Sequence, residues 1–298
     1  MVSPHKISMT VRNALQEARD TLSSNCIDQA RLEAELLLAH VLDVKKEDIV
    51  IHPNRELTDS QEEKFQQLIE RRCRKEPLAY IIGHWEFWSL PFKVNRKVLI
   101  PRPETEGVIE HLLGLAGEEA TEKALRILDV GTGSGILAIV AALEFPGARV
   151  IAVDNSNDAL EIARENIHRH QVMEQIETLK MDFMRPWILS ENDRYDYILS
   201  NPPYISSKDF EQLMPDVRDY EPRVALDGGP DGLACYRHII SKAFPYLKPG
   251  GCLIFEVGEN QAEAVQRYLQ DHGGLDGIAI IQDLSGRDRV VSARRVLG

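Results

Sequence analysis

The run RILDVGTGSGILAIVAAL, from Arg126 to Leu143, constrains the fold more than any other part of the chain. A strand apolar on both faces, Ile127 to Val130, enters a glycine-rich turn and leaves directly into an apolar helix that begins at Ile136. A strand of that kind belongs in a parallel sheet covered by helices on both sides. Glycine at Gly131 and Gly133 allows a tight turn and close approach of a ligand to the backbone, and the helix behind it offers unpaired N–H groups. A nucleotide-like ligand suits that position. The dinucleotide fingerprint requires its third glycine at position 136, which is Ile136, whereas the third glycine here is Gly135. The expectation is therefore a cofactor without phosphates.

Beyond Pro103 strand-like and helical stretches alternate: RVIAVD, SNDALEIARENIHRH, YDYILS, ACYRHIISKAF, CLIFEV, QAEAVQRYLQ, GIAII and RVVSARR. The last two are separated by DLSGRD, which is too short for a parallel crossover, so the sheet is expected to end with one reversed strand. Residues 9 to 80 have a different texture. Val11, Ala14, Leu15, Ala18 and Leu22 recur at helical spacing, as do Ala34, Leu37, Leu38, Val41 and Leu42 after Asp28, a predicted N-cap. Thr58 opens a third helix with Phe65, Leu68 and Ile69 on its apolar face, and RRCRK at Arg71 to Lys75 reads as a solvated basic face or a docking surface. Between these regions HWEFWSLPFKVNRKVLIPRP, with its prolines, resembles a hairpin, and Trp85, Phe87 and Trp88 are expected in core or interdomain packing. The expected organisation is a helical bundle over 1–83 that docks substrate, a hairpin-like linker over 84–103, and an α/β domain over 104–298.

The net charge of −12 is unevenly placed: residues 1–100 hold 15 basic and 15 acidic side chains, leaving 20 against 32 in residues 101–298. An acidic catalytic half disfavours a chain that binds duplex DNA by neutralising phosphates, and suits a basic protein partner better. No apolar run approaches the roughly 20 residues of a bilayer crossing, and no basic segment leads into an apolar one near the start, so a cytoplasmic protein without a membrane partner is expected. The four cysteines (Cys26, Cys73, Cys235, Cys252) form no C-x-x-C pair and read as reduced structural thiols, with no metal site expected.

In open parallel sheets ligands lie beyond the carboxyl ends of the strands, so the turns there carry the candidate chemistry. Asp154 ends the second strand, where a carboxylate can accept both hydroxyls of a ribose; capping the next helix is its other reading. Asp182 and Phe183 follow the third strand and suit an adenine's amino group and face. After the fourth comes Asn201-Pro202-Pro203-Tyr204. Two prolines stiffen this backbone, Asn201 offers a side-chain oxygen, Pro202 a main-chain oxygen, and Tyr204 a cover, which together describe a socket for a planar –NH2 donor.

DVGTGSG, Asp154 and NPPY resemble the class I S-adenosylmethionine-dependent methyltransferases that modify planar nitrogens. PRPETE (Pro101 to Glu106), EPRVALDGGPDGL (Glu221 to Leu233) and EPLAYIIGHWEF narrow the resemblance to the release factor glutamine N5-methyltransferases, the PrmC/HemK family, over nearly the whole chain. The resemblance implies a seven-stranded, mostly parallel Rossmann-like sheet with its last strand antiparallel, preceded by a small all-α domain. It implies S-adenosyl-L-methionine as cofactor, held by Gly131, Thr132, Gly133, Ser134, Gly135, Asp154, Asp182, Phe183 and Asn201. It implies a substrate socket of Asn201, Pro202, Pro203 and Tyr204, with Asn201, Pro202 and Tyr204 catalytic, and methyl transfer to the glutamine amide of the Gly-Gly-Gln motif in peptide chain release factors. Arg102, Glu104, Glu106 and Arg223 are motif members without an assigned role. A glutamine methyltransferase of a ribosomal protein and an N6-adenine methyltransferase of nucleic acid are the alternatives, the latter disfavoured by the acidic half and the absence of a DNA-reading module.

Overall fold

The computed structural model describes residues 9–117, 124–190 and 193–297. The chain divides into two compact units, Met1–Gly83 with Pro215–Tyr220, and His84–Met214 with Glu221–Gly298. Residues 84–103, read from the sequence as a linker, thus fall within the second unit.

In the first unit α1 (Val11–Ser24), α2 (Ala30–Leu42), α3 (Lys46–Ile51), α4 (Asp59–Cys73) and α5 (Leu78–Ile82) bury the apolar positions the periodicity picks out, Leu22, Leu37, Leu38, Phe65 and Ile69 among them. A reciprocal capping box starts α4: the Gln61 amide N–H donates to Thr58 Oγ1 and the Thr58 N–H to Gln61 Oε1. Asp28 does not cap α2; Gln29 occupies that place without a side-chain cap. The basic run is split between an inward side chain and outward ones. Arg72 is buried, with Nε donating to Glu33 at 2.5 Å and Nη1 to the Glu76 carbonyl, Arg71 pairs with Glu76, and Lys75 Nζ donates to the carbonyls of Asn25 and Cys26.

The second unit opens with a hairpin, β1 (His84–Phe87) against β2 (Leu90–Lys93). A seven-stranded sheet follows, built from β3 (Arg126–Val130), β4 (Arg149–Asp154), β5 (Ile176–Lys180), β6 (Tyr195–Ser200), β7 (Leu247–Glu256), β8 (Leu275–Gln282) and β9 (Asp288–Arg295). Its order is β5-β4-β3-β6-β7-β9-β8. Only β9 is reversed, and it does not form the edge expected of it: it inserts between β7 and β8, antiparallel to both. A tight hairpin requires β8 and β9 to be neighbours but leaves open which of them meets β7.

The strands are apolar on both faces because each face is covered. Ile127, Leu199 and Ile254 point into a core shared with α6 (Glu106–Ala116) and α7 (Ile136–Glu144), to which the hairpin adds Phe87 and Phe92. Their neighbours Leu128, Ile198 and Leu253 point into the opposite core, with α11 (Ala234–Ala243) and α12 (Ala262–Asp271), which follow the one-turn helices α9 (Ser207–Phe210) and α10 (Pro215–Arg218) in the chain. The alternation is the two-residue period of a pleated strand. Trp88 is half-buried beside the first core, its indole N–H donating to Glu144 at 2.8 Å. Among the described residues no helix is long and apolar enough to cross a membrane.

Candidate active site

The chain winds outward from β3 to β4 and β5, then returns to lay β6 on the other side of β3. That reversal opens a crevice at the carboxyl ends of β3 and β6. Leu128 pairs with Ile198 and Asp129 with Leu199, so the glycine turn after Val130 and the NPPY turn after Ser200 emerge side by side, tied by Ser200 Oγ donating to the Val130 carbonyl at 2.7 Å. The cleft there spans about 780 Å³ of space, open solvent at its mouth included.

Gly131, Thr132, Gly133, Ser134, Asp154, Phe183, Asn201 and Pro203 line this cleft. The Gly131 and Gly133 backbones have φ of +79° and +56°, a region hostile to side chains. Gly135, at φ +88°, lies behind the lining: a Cβ there would stand 3.1 Å from Ile139 and 3.4 Å from Ala163, so its smallness serves helix packing. Thr132 donates to Asp129 at 2.6 Å, and the Ser134 carbonyl accepts from buried Asn166 on α8 (Asn157–Arg169) at 2.8 Å. Phe183 is buried, with its ring edge 3.8 Å from where a Gly131 Cβ would be.

Asp154 is not the helix cap, a place taken by Ser156. Its Oδ2 accepts from the Gly133 N–H and its Oδ1 from the Ser156 N–H, both at 2.9 Å. Burial raises its pKa, and those two backbone donors oppose the shift. The carboxylate is thereby aimed, with lone pairs remaining on each oxygen for a diol. Asp182 does not join it. It is exposed, does not line the cleft, accepts from the Met184 N–H at 2.9 Å and pairs with Arg185. A short acidic loop residue satisfies its own backbone more readily than a distant ligand.

Within NPPY, Asn201 Nδ2 donates to Thr105 Oγ1 at 3.2 Å. Among the described residues no hydrogen bond reaches Asn201 Oδ1 or the Pro202 carbonyl, although Pro202 itself is buried and does not line the cleft. The Tyr204 hydroxyl points to Glu256 Oε1 at 3.3 Å, and burial pushes its pKa far up, so it stays protonated. The two family strings around this turn hold it. Glu221, almost fully buried, accepts from Ile100 N–H and pairs with Arg102. Arg223 pairs with Asp227 and lies 4.5 Å over the Phe210 ring, and Glu106 accepts from the Trp88 N–H. Ile205 exchanges backbone bonds with Leu226 and Gly228, and Gln261 donates to the Tyr204 carbonyl at 2.8 Å.

Three further residues of consequence escape the sequence reading. Asp129, inside DVGTGSG, is fully buried, and burial lifts its pKa to about 7; its Oδ2 accepts from Thr132 and Ala138, while Oδ1 has no partner. Glu256 and Thr105 lie beneath Asn201 and Tyr204. Asp129 and Glu256 each carry a local signal, an acidic residue in an otherwise apolar strand, and Thr105 lies within PRPETE. The cations at the cleft, Lys97 and Arg102, are both committed to carboxylates: Lys97 to Asp158 and Glu161, and Arg102 to Glu221. Among the described residues a phosphate would find no spare cation here. An aimed carboxylate and an aromatic wall fit a nucleoside without a phosphate.

Fold and cleft together define a methyltransferase. The methyltransferase small domain family matches residues 114–216, and the PrmC N-terminal domain family matches residues 13–83. Among solved structures, a methyltransferase from Pyrococcus furiosus superposes with a TM-score of 0.51 at 17% identity, covering 76% of this chain and 98% of that one. The hMettl16 catalytic domain does so with 0.56 at 15%, covering 82% and 85%. Release factor glutamine methyltransferases are far closer in sequence: that of Caulobacter vibrioides is 38% identical, with 96% of each chain covered. Those of Geobacter sulfurreducens and Moorella thermoacetica are each 39% identical, covering 96% of this chain and 96% and 99% of theirs. The chain belongs to the release factor glutamine methyltransferase family.

Proposed function

We propose that this chain transfers a methyl group from S-adenosylmethionine to the side-chain amide nitrogen of the glutamine in the Gly-Gly-Gln motif of peptide chain release factors, in the cytoplasm, with the helical unit docking the protein substrate. The observation that carries the reading is the pair of unclaimed acceptors, Asn201 Oδ1 and the Pro202 carbonyl, on the turn adjacent to the glycine loop.

A primary amide is a poor nucleophile because its nitrogen lone pair is delocalised into the carbonyl. Two acceptors that take both N–H hydrogens fix the plane of the –NH2 group, so that its lone pair, which stands perpendicular to that plane, faces the cleft. S-adenosylmethionine, when bound, would supply an electrophilic methyl on a sulfonium; Asp154 would hold the ribose and Phe183 would cover the adenine. The nitrogen lone pair forms the new N–C bond, the C–S pair returns to sulfur, and the amide proton, made acidic by N-methylation, leaves to water. No catalytic acid or base is assigned. Positioning supplies several kcal/mol of the barrier, and the acceptors stabilise positive charge as it grows on nitrogen.

The test is to incubate the chain and methyl-labelled S-adenosylmethionine with a release factor, the same factor lacking its motif glutamine, a ribosomal protein and DNA. Label is expected only on the intact release factor. Label on the glutamine-lacking factor, or on DNA alone, overturns the proposal.

A further inference from the structure

Building on that proposed function, we infer that Thr105 is a positioning residue: Glu256 holds its hydroxyl proton, Thr105 therefore shows Asn201 only a lone pair, and the Asn201 carboxamide is locked with Oδ1 toward the substrate. Nothing in NPPY itself chooses between the two ends of the carboxamide, yet only the oxygen can receive an –NH2 hydrogen. The choice is made one layer down.

Thr105 is fully buried, so water does not compete for its hydroxyl. That hydroxyl has one proton and faces two partners, Glu256 Oε2 at 2.5 Å and Asn201 at 3.2 Å. An ionised carboxylate can only accept, so the proton goes to Glu256 and the partner on the other side must donate. That partner is Asn201 Nδ2. The other Glu256 oxygen accepts from Tyr204, whose ring follows Asn201 by three residues, and the Glu256 carbonyl accepts from the Tyr236 hydroxyl at 3.0 Å. One buried carboxylate thus orients both polar side chains of the turn.

The arrangement makes competence depend on the charge of Glu256. With a proton on Oε2, Glu256 donates to Thr105, and the freed threonine proton turns toward Asn201. The carboxamide then flips to accept it, bringing Nδ2 into the socket against the substrate's own –NH2. The groups around Glu256 are Thr105 and Glu104 from the turn before α6, Tyr204 from NPPY, Tyr236 from α11 and Arg289 from β9. Burial, with Glu104, raises its pKa, and Thr105, Tyr204 and Arg289 oppose, leaving it at about 7. The sign follows: activity rises with pH through neutrality as Glu256 ionises and falls on the acid side.

Two readouts test the relay on the full chain. In turnover with release factor, Thr105→Val, close in volume but with no hydroxyl, should lower kcat on the order of 10²-fold with cofactor affinity unchanged, and should abolish the acid limb near neutrality. Thr105→Ser should restore both. Independently of turnover, the side-chain amide resonance of Asn201, identified by its loss in Asn201→Ala, should titrate with a midpoint of about 7 in the wild-type chain and not in Thr105→Val. Undiminished kcat in Thr105→Val, an acid limb that survives there, or no recovery in Thr105→Ser overturns the relay, as does a resonance indifferent to pH. An amide that titrates in a chain that never labels release factor instead retains the relay and overturns the proposed function.

Discussion

Gly232 lies against the carbonyl oxygen of Tyr204 so closely that a Cβ on it would stand 2.4 Å from that oxygen. Its neighbour in the motif, Gly228, would place a Cβ 2.6 Å from the Pro203 carbonyl and 2.8 Å from Tyr204 Cα. The DGGPDG loop is the back wall of the NPPY turn, and its glycines are there because backbone meets backbone. Gly232 also has φ +72°, so alanine adds strain of about 1–3 kcal/mol to the collision. Gly232→Ala should cut turnover on the order of 10²-fold by displacing Tyr204 and its turn, while the cofactor dissociation constant stays near the wild-type value. Calorimetry alongside initial rates checks it; full activity would mean that the turn tolerates movement.

Asn201→Ala removes the socket's side-chain acceptor. Loss of turnover of roughly 10²- to 10³-fold is expected, by analogy with deleting one charge-stabilising group from an active site. Cofactor binding should weaken yet remain measurable, since the glycine turn and Asp154 are intact. Wild-type rates from the purified variant would rule the socket out.

Asp154→Ala should raise the cofactor dissociation constant on the order of 10-fold to 10²-fold, the worth of one or two charge-assisted hydrogen bonds. The change also strips an acceptor from the Gly133 and Ser156 amides. Asp154→Asn keeps the shape and should lose less. Unchanged affinity in titration calorimetry would remove Asp154 from the ribose site.

Burial lifts the Glu256 carboxyl from an ordinary 4.5 to about 7. Because the folded value lies above the unfolded one, the native state holds a proton that the unfolded chain has released between those limits. This group's contribution to stability therefore declines as pH rises from about 4.5 to about 7. Glu256→Gln, whose amide can still accept from Thr105 and donate to Tyr204, escapes that penalty. The variant should be more stable than wild type at about pH 8 by a few kcal/mol, with the gap shrinking at about pH 5. Urea denaturation at both pH values reads the difference; a gap independent of pH would contradict it.

The basic run on α4 offers a contrast between neighbours. Arg72 is buried among Glu33, the Glu76 carbonyl and, at 3.8 Å, Asp216, so Arg72→Ala strands buried acceptors and should destabilise the first unit by about 3–5 kcal/mol. Arg74 pairs with Glu70 in the open, and Arg74→Ala should cost under about 1 kcal/mol. Thermal melts of the two variants separate these cases, and equal effects would refute the distinction.

Local sequence determined a great deal of this protein. The glycine turn between an apolar strand and an apolar helix, the alternation that follows, and the capping box at Thr58 are written in residues close together in the chain, where backbone conformation and side-chain period act directly. NPPY was legible for the same reason, since two prolines restrict their own backbone. What local sequence could not decide is how strands far apart in the chain line up. The placing of β9 between β7 and β8, the turning away of Asp182, the packing role of Gly135 and the internal pairing of Arg72 all depend on neighbours remote in sequence. Thr105 and Glu256, 151 residues apart, meet under Asn201 only because β7 lies beside β6 in the folded sheet. Their chemistry comes from burial, and burial is a property of the assembled core.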